Sequence, residues 1–414
     1  MQLNSAWAHR LRFGEPVRCA ALFWSLVAFM PVGMGYLAFF ALITGMLIQK
    51  GRAERIALLR QHILFWPLAA YAAWILVVLV FQPVFYAETP SNLWHSARIA
   101  ITIALALALT TDEAVSALKG FMLAALCSVL VIAAHQTVGL PEWTLWANLI
   151  HYAGNKSISN AILLALVAAS ALVVAMAHRG RVRLVAIMAA LALLCVVVFS
   201  LPNRTSMIVV LGAPLAASIH QWRHQKSRLF AYVLAAMLTS MVLLTSVPAI
   251  QRPLAEGIAQ VRQAMQGEVL MASWNIRVQL ARHTSRMIAD RPWMGWGIGS
   301  WNTQWKMRAP PLIADVNMPH NDLLWMGAQA GVPGASTWLA IMLGACWVGW
   351  RRQDVSGRLA FVAALTLLFS ALVNSATRDA SIGLSLLWIV GLYLRIATEP
   401  NGRARASSGA AAVT

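Results

Sequence analysis

The sequence predicts an all-α, polytopic integral membrane protein with about twelve transmembrane helices. Three observations carry this fold class. Of 414 residues, 60% are hydrophobic and 11% are charged, whereas a soluble domain carries about a quarter charged residues. The mean hydropathy is +0.67. Apolar runs long enough to cross about 30 Å of hydrocarbon, at about 1.5 Å per helical residue, recur along the chain. Soluble, fibrous and disordered classes are excluded at this point.

The runs fall at 18–32, 34–49, 63–81, 98–110, 119–135, 157–177, 182–201, 204–220, 228–247, 330–350, 358–374 and 380–396. Their orientation follows from Lys and Arg. With both termini cytoplasmic, twenty of the 32 basic residues lie in inner loops and tails, densest at Lys50–Arg60, Arg179–Arg183, Arg223–Arg228 and Arg351–Arg358. Eight more sit in one long outer segment, and Arg98, Lys156, Arg204 and Arg378 stand almost alone outside. This is the positive-inside bias. The net charge of +18 is thereby divided between two sides of a bilayer, and it calls for membrane lipids rather than nucleic acid as a partner.

The first run follows His9, Arg10 and Arg12 with no A-x-A-like site after it, so it reads as a retained span. Cys19, Cys127, Cys195 and Cys346 fall in apolar runs, make no CxxC site, and read as small packed hydrophobes. The chain divides into 1–247 with nine spans, a large outer loop over 248–329, 330–396 with three spans, and a tail from 397 to 414 rich in Ala, Gly and Ser that reads as disordered.

A loop as long as 248–329 is usually functional. Pro248 and Pro253 end the ninth span, 254–266 reads as a short helix, and Gly267 separates it from a second helix at 268–289. Helical periodicity puts Asn275, Gln279, Arg282 and Arg286 on a wet face, and Leu270, Trp274, Arg277, Ala281, Thr284 and Ile288 on an apolar one. Arg277 interrupts the apolar stripe. Its guanidinium there either snorkels to the membrane surface or meets a buried anion. Next comes Arg291-Pro-Trp-Met-Gly-Trp-Gly-Ile-Gly-Ser-Trp301, a glycine-alternating turn crowded with indoles. Without a preceding strand and following helix, its GxGxG is a weak phosphate signal. Trp274, Trp293, Trp296, Trp301 and Trp305 read either as interface anchors or as stacking surfaces for sugar rings.

Asn317-Met-Pro-His-Asn-Asp322 opens a helix. His320 sits at its positive end, which keeps an imidazole neutral near pH 7. It is either a packed, capping residue or a base. Arg204, in the hairpin Ser200-Leu-Pro-Asn-Arg-Thr-Ser206, would join Arg277 in a guanidinium clamp, whose fork suits phosphate oxygens. No DxD or cluster of His, Cys, Asp and Glu occurs in the outer loops, so no metal or other cofactor is expected.

The span layout, the Asn203-Arg204-Thr205 turn, Trp274-Asn-Ile-Arg277, Gly295-x-Gly-x-Gly299 and Pro319-His-Asn321 together resemble the O-antigen ligase and polymerase superfamily of bacterial inner-membrane glycosyltransferases. The resemblance implies a GT-C-like enzyme with its site facing the periplasm. It would move a polysaccharide from undecaprenyl diphosphate to a sugar hydroxyl of lipid A-core, with inversion. Arg204 and Arg277 then match the diphosphate-binding arginines and His320 the essential histidine, with Asn321, Arg98, Arg378 and Trp274 in support. Asn203 stands where the family often has Ser. An O-antigen polymerase or a protein O-oligosaccharyltransferase would share this chemistry. A secondary transporter would instead show related halves and broken helices.

Overall fold

The computed structural model describes residues 16–150, 155–201, 204–246 and 248–398. His9, Arg10, Arg12, Asn203 and the tail 401–414 lie outside the described residues, as do the side chains of Lys156 and Arg204. Among the described residues there are helices and no strand.

In chain order the helices are α1 Pro16–Leu26, α2 Val32–Ile48, α3 Arg52–Gln61, α4 Phe65–Phe81, α5 Thr89–Leu107, α6 Thr111–Val138, α7 Ala147–Ile150, α8 Asn155–Ala177, α9 Gly180–Cys195, α10 Arg204–Trp222, α11 Lys226–Ser246, α12 Pro248–Met265, α13 Ser273–Asp290, α14 Trp301–Arg308, α15 Asp322–Arg351, α16 Val355–Asn374 and α17 Ala380–Ala397. Each of the twelve apolar runs coincides with a helix. Among the described residues, six helices are long and apolar enough to cross a bilayer unaided: α6, α8, α9 with its π-helical end, α15, α16 and α17. α12 begins at Pro248 and runs through Pro253, so these prolines start a helix rather than only ending one. Pro at a first-turn position lacks an amide the helix does not need.

α17 is buried on every side from Ile382 to Arg395, packed by α5, α6, α8 and α16. A helix apolar all round belongs in the centre of a bundle. On the outside, Trp66, Val80 and Phe81 of α4, Val182, Val185 and Met188 of α9, and Phe230 and Met237 of α11 face outwards, as lipid contact requires. Cys19, Cys127 and Cys195 are also exposed and Cys346 partly so. The thiols therefore lie mostly on this outer surface and not in the packed interior that their apolar context suggests.

At the arginine-rich end, Thr110 and Glu113 form a capping box at the start of α6, and Glu113 takes two bonds from Arg55 of α3, at 2.8 and 2.7 Å. At the other end α15 is broken. Gly331 has φ +70 and ψ −175, and the glycine turn supplies what the break removes. The amides of Trp296 and Gly297 donate to the carbonyls of Ala328 and Gln329 at 2.9 and 3.0 Å, Gly299 donates to Gln329 Oε1 at 2.6 Å, and Val332 donates to Pro292 O at 2.7 Å. Trp74 Nε1 of α4 caps Ala330 O at 2.8 Å. Buried backbone groups must be paired, so the Gly-x-Gly-x-Gly turn is a docking plug for a broken helix.

A Cβ at Gly331 would lie 2.2 Å from Trp293 O. Gly331→Ala is therefore expected to destabilise the protein by at least about 1–3 kcal/mol, the usual range for backbone strain alone. Thermal unfolding in detergent checks it against Gly33→Ala, where a Cβ would meet nothing within 4 Å.

Candidate active site

The site forms where the start of α15 meets the turn between α16 and α17. Asn321 is the N-cap of α15, its Oδ1 accepting from Leu324 N at 3.0 Å. Its role here is to cap. His320 lies one residue earlier, just outside the helix, with φ +51. Asp322, the first helical residue, is fully buried and turns its carboxylate to the α16–α17 turn, where Oδ2 accepts from Thr377 N at 2.7 Å and Thr377 Oγ1 at 2.6 Å. From the other side Arg98 of α5, also fully buried, donates to Thr377 O at 3.1 Å, Arg378 O at 2.6 Å and Tyr36 Oη at 2.8 Å. Backbone carbonyls thus satisfy much of the Arg98 fork, and the outcome is a fixed turn.

That turn carries Asn374, Ser375 and Arg378 to His320. Ser375 is left-handed, φ +50 and ψ +44. His320 and Ser375 are the two non-glycine residues with positive φ among the described residues, and both are in this site. Each costs roughly 1–2 kcal/mol in a left-handed conformation. Strain of this kind clusters where function over-determines the backbone. Five buried polar atoms here also have no hydrogen-bond partner among the described residues: His320 Nδ1, Asn374 Nδ2, Ser375 Oγ, Arg378 Nε and Asp322 Oδ1. Buried polar atoms are nearly always paired, so this density marks a candidate polar site.

The His320 pKa is lowered from 6.5 to about 4. Burial is the largest cause and the Arg277 guanidinium the next; a hydrogen bond to the Asn374 side chain opposes them, and Arg378 adds to the lowering. The ring is therefore neutral at pH 7, as its place before a helix suggests, but desolvation and arginines do this work. Asn374 thus favours the charged ring, and Nδ1 has no hydrogen-bond partner among the described residues.

Arg277 comes from α13, which packs on α15. The division of α13 into a wet and an apolar face does not hold. Asn275 and Gln279 are buried at 0% and 2% exposure, because they tie down the preceding loop: Asn275 Oδ1 accepts from Leu270 N at 3.0 Å, and Asn275 Nδ2 and Gln279 Nε2 donate to Glu268 O at 3.0 and 3.1 Å. Arg277 and Arg282 are both half-buried and Arg286 is exposed. Arg277 Nη1 donates to Ser273 Oγ at 2.6 Å, and its guanidinium sits 5.5 Å from the Trp274 ring centre. What sets Arg277 apart is its charge at His320, while Arg282 lies near Met265 O.

Among the indoles, Trp301 and Trp305 are stacked core residues whose Nε1 atoms bond Thr284 Oγ1 and Ile313 O, each at 3.2 Å. They are neither interface anchors nor sugar platforms. Trp296 is held by Met287 O at 2.8 Å and by the Arg291 and Arg308 guanidiniums. Trp293 alone of this group is largely exposed, at 74%.

α10 starts at Arg204 and packs antiparallel to α16, its last-turn Gln221 bonded to Arg358 near the start of α16. The start of α10 is therefore at the Asn374 end of α16. Sequence reasoning found Arg378 and Arg98 through the charge bias. It missed Asn374 and Ser375, which carry no signal in a run of small residues, and it read Asp322 only as a helix-start acid. His95, within charge range of Arg98 and Arg378, gave no signal either.

A multi-pass membrane protein with a neutral imidazole set between guanidiniums, on connections at one end of its bundle, is the class that fold and site define. Residues 156–339 match the family described as O-Antigen ligase. The match supports the O-antigen ligase family and points to a glycosyltransferase-like member of the ligase and polymerase superfamily. Arg204, Arg277 and His320 lie inside it, whereas Arg98, Asn374 and Arg378 do not. No curated protein matches the chain.

Proposed function

We propose that the protein is an O-antigen ligase of GT-C-like architecture. In the bacterial inner membrane, with both termini cytoplasmic and the His320 site facing the periplasm, it moves polysaccharide from undecaprenyl diphosphate to a hydroxyl of lipid A-core. One observation carries this reading: inside the family domain, His320 is a largely buried, neutral imidazole under the charge of Arg277. The acceptor oxygen attacks the anomeric carbon, the carbon–oxygen bond to the diphosphate breaks with inversion, and the diphosphate leaves with the electron pair. The acceptor proton passes to His320 Nδ1, and the resulting imidazolium is stabilised by Asn374. Arg277 and Arg204 hold the diphosphate and offset the charge that grows on its bridging oxygen. Such a transfer needs no covalent intermediate and no divalent metal.

Arg204→Lys is expected to lose most activity despite the retained charge, because an ammonium cannot hold two oxygens with one fork. Near-normal transfer by this variant would reduce Arg204 to a point charge. The acceptor is tested with purified protein, lipid-linked polysaccharide and either lipid A-core, a second lipid-linked glycan, or a pilin-type protein. Transfer to lipid A-core supports a ligase. Extension of the second glycan makes it a polymerase, and transfer to protein an O-oligosaccharyltransferase.

A further inference from the structure

At the arginine-rich end of the bundle, far along α15 and α17 from His320, the corner between α3 and α4 and the C-terminal ends of α15 and α17 enclose a cavity of about 690 Å³. His62, Arg351, Arg352 and Arg395 line it together with the apolar Ile63 and Trp347. His62 and Arg395 are each only 6% exposed.

The His62 tautomer is fixed by its neighbours. Nδ1 accepts from Leu64 N at 3.1 Å. Burial first, then the Arg395 charge, push its pKa down to about 4. The neutral ring therefore carries its proton on Nε2, and this buried donor has no partner among the described residues. The charge of the wall is positive. Three guanidiniums face one carboxylate, Asp354, which is paired to Arg352. Arg352 and Arg395 are bonded to Asp354, Ala397 O, Leu109 O and Thr398 Oγ1, so the cavity offers their charge together with the His62 Nε2–H donor, beside an apolar surface at the end of a membrane bundle.

We propose that this cavity binds the phosphodiester headgroup of an anionic membrane lipid. Arg351 and Arg395 supply charge, His62 Nε2–H a directed bond to a phosphate oxygen, and Ile63 and Trp347 cover the start of an acyl chain. Basic pockets between transmembrane helices hold such headgroups elsewhere. This site is separate from the transfer site and does not depend on the proposed reaction.

The test is native mass spectrometry of the purified full-length protein with added phosphatidylglycerol, phosphatidylcholine or inorganic phosphate. Two variants accompany it, each first shown to unfold at the wild-type temperature. Arg351→Gln removes an exposed charge. His62→Asn keeps an acceptor for Leu64 N but withdraws the Nε2 donor. Phosphatidylglycerol should be retained in preference to phosphatidylcholine, with retention falling about tenfold in each variant, the effect of one charge-assisted bond. Equal retention of the two lipids, or unchanged retention in both variants, overturns the proposal. Binding of inorganic phosphate without retention of phosphatidylglycerol also overturns it and leaves a free-anion site.

Discussion

Replacing His320 with Ala lowers the single-turnover transfer rate by roughly 10²–10⁴-fold, the usual worth of a general base, while donor affinity stays near wild type. The diphosphate is held by arginines, so losing the ring removes proton transfer and not the anion site. The pH profile gives a second readout. A base works when neutral, so activity is lost as pH falls through its pKa. For the unliganded enzyme that value is about 4, and the acid limb of kcat/KM belongs there. The limb of kcat belongs higher, because bound diphosphate offsets Arg277, the second cause of the lowering. Stability moves in the same direction: an unfolded His320 takes up its proton near 6.5 and the folded one only near 4, so folding is weakened as pH drops between these values. The profile is therefore measured on protein shown to be folded at each pH. Lost donor binding at unchanged turnover would move His320 into the anion site.

Arg277→Ala is expected to abolish transfer, and Arg282→Ala to retain most of it. Both residues are half-buried on α13, so exposure does not separate them. Arg277 acts on His320, while the Arg282 guanidinium lies 3.5 Å from the carbonyl of Met265, the last residue of α12. Loss of one preorganised donor to a developing oxyanion costs about 10²–10³ in rate, and Arg277 would in addition take part of the donor affinity with it. Rates and donor affinities for both variants, measured side by side, decide this. Equal loss at the two positions would mean that α13 contributes only its fold.

Much of this architecture was legible because one physical signal, apolar length, dominates a membrane chain, and every apolar run became a helix. The charge bias added Arg98, Arg204 and Arg378 as exceptions. The α13 periodicity misled for a definite reason: amphipathic patterning ranks Asn and Gln as wet, whereas Asn275 and Gln279 are buried to bind the carbonyl of Glu268 and the amide of Leu270. Loop closure had overridden hydropathy. The glycine turn reads as a weak phosphate signal, and amides of the turn are aimed at the broken α15. Asn374 was invisible because its role arises only when the α16–α17 turn, pinned by Asp322 and Arg98, folds back onto His320. Such long-range closure leaves no periodic trace in the sequence.

In the proposed reaction His320 and Arg277 transfer glycan directly from a lipid diphosphate. Its most direct test is single-turnover transfer by the purified protein in lipid vesicles, supplied only with undecaprenyl diphosphate-linked polysaccharide and lipid A-core. Wild type should form the glycosylated lipid and release undecaprenyl diphosphate in equal amounts, without added nucleotide or metal. His320→Ala should bind the donor and fail to turn it over. Transfer by His320→Ala at the wild-type rate would contradict the claim.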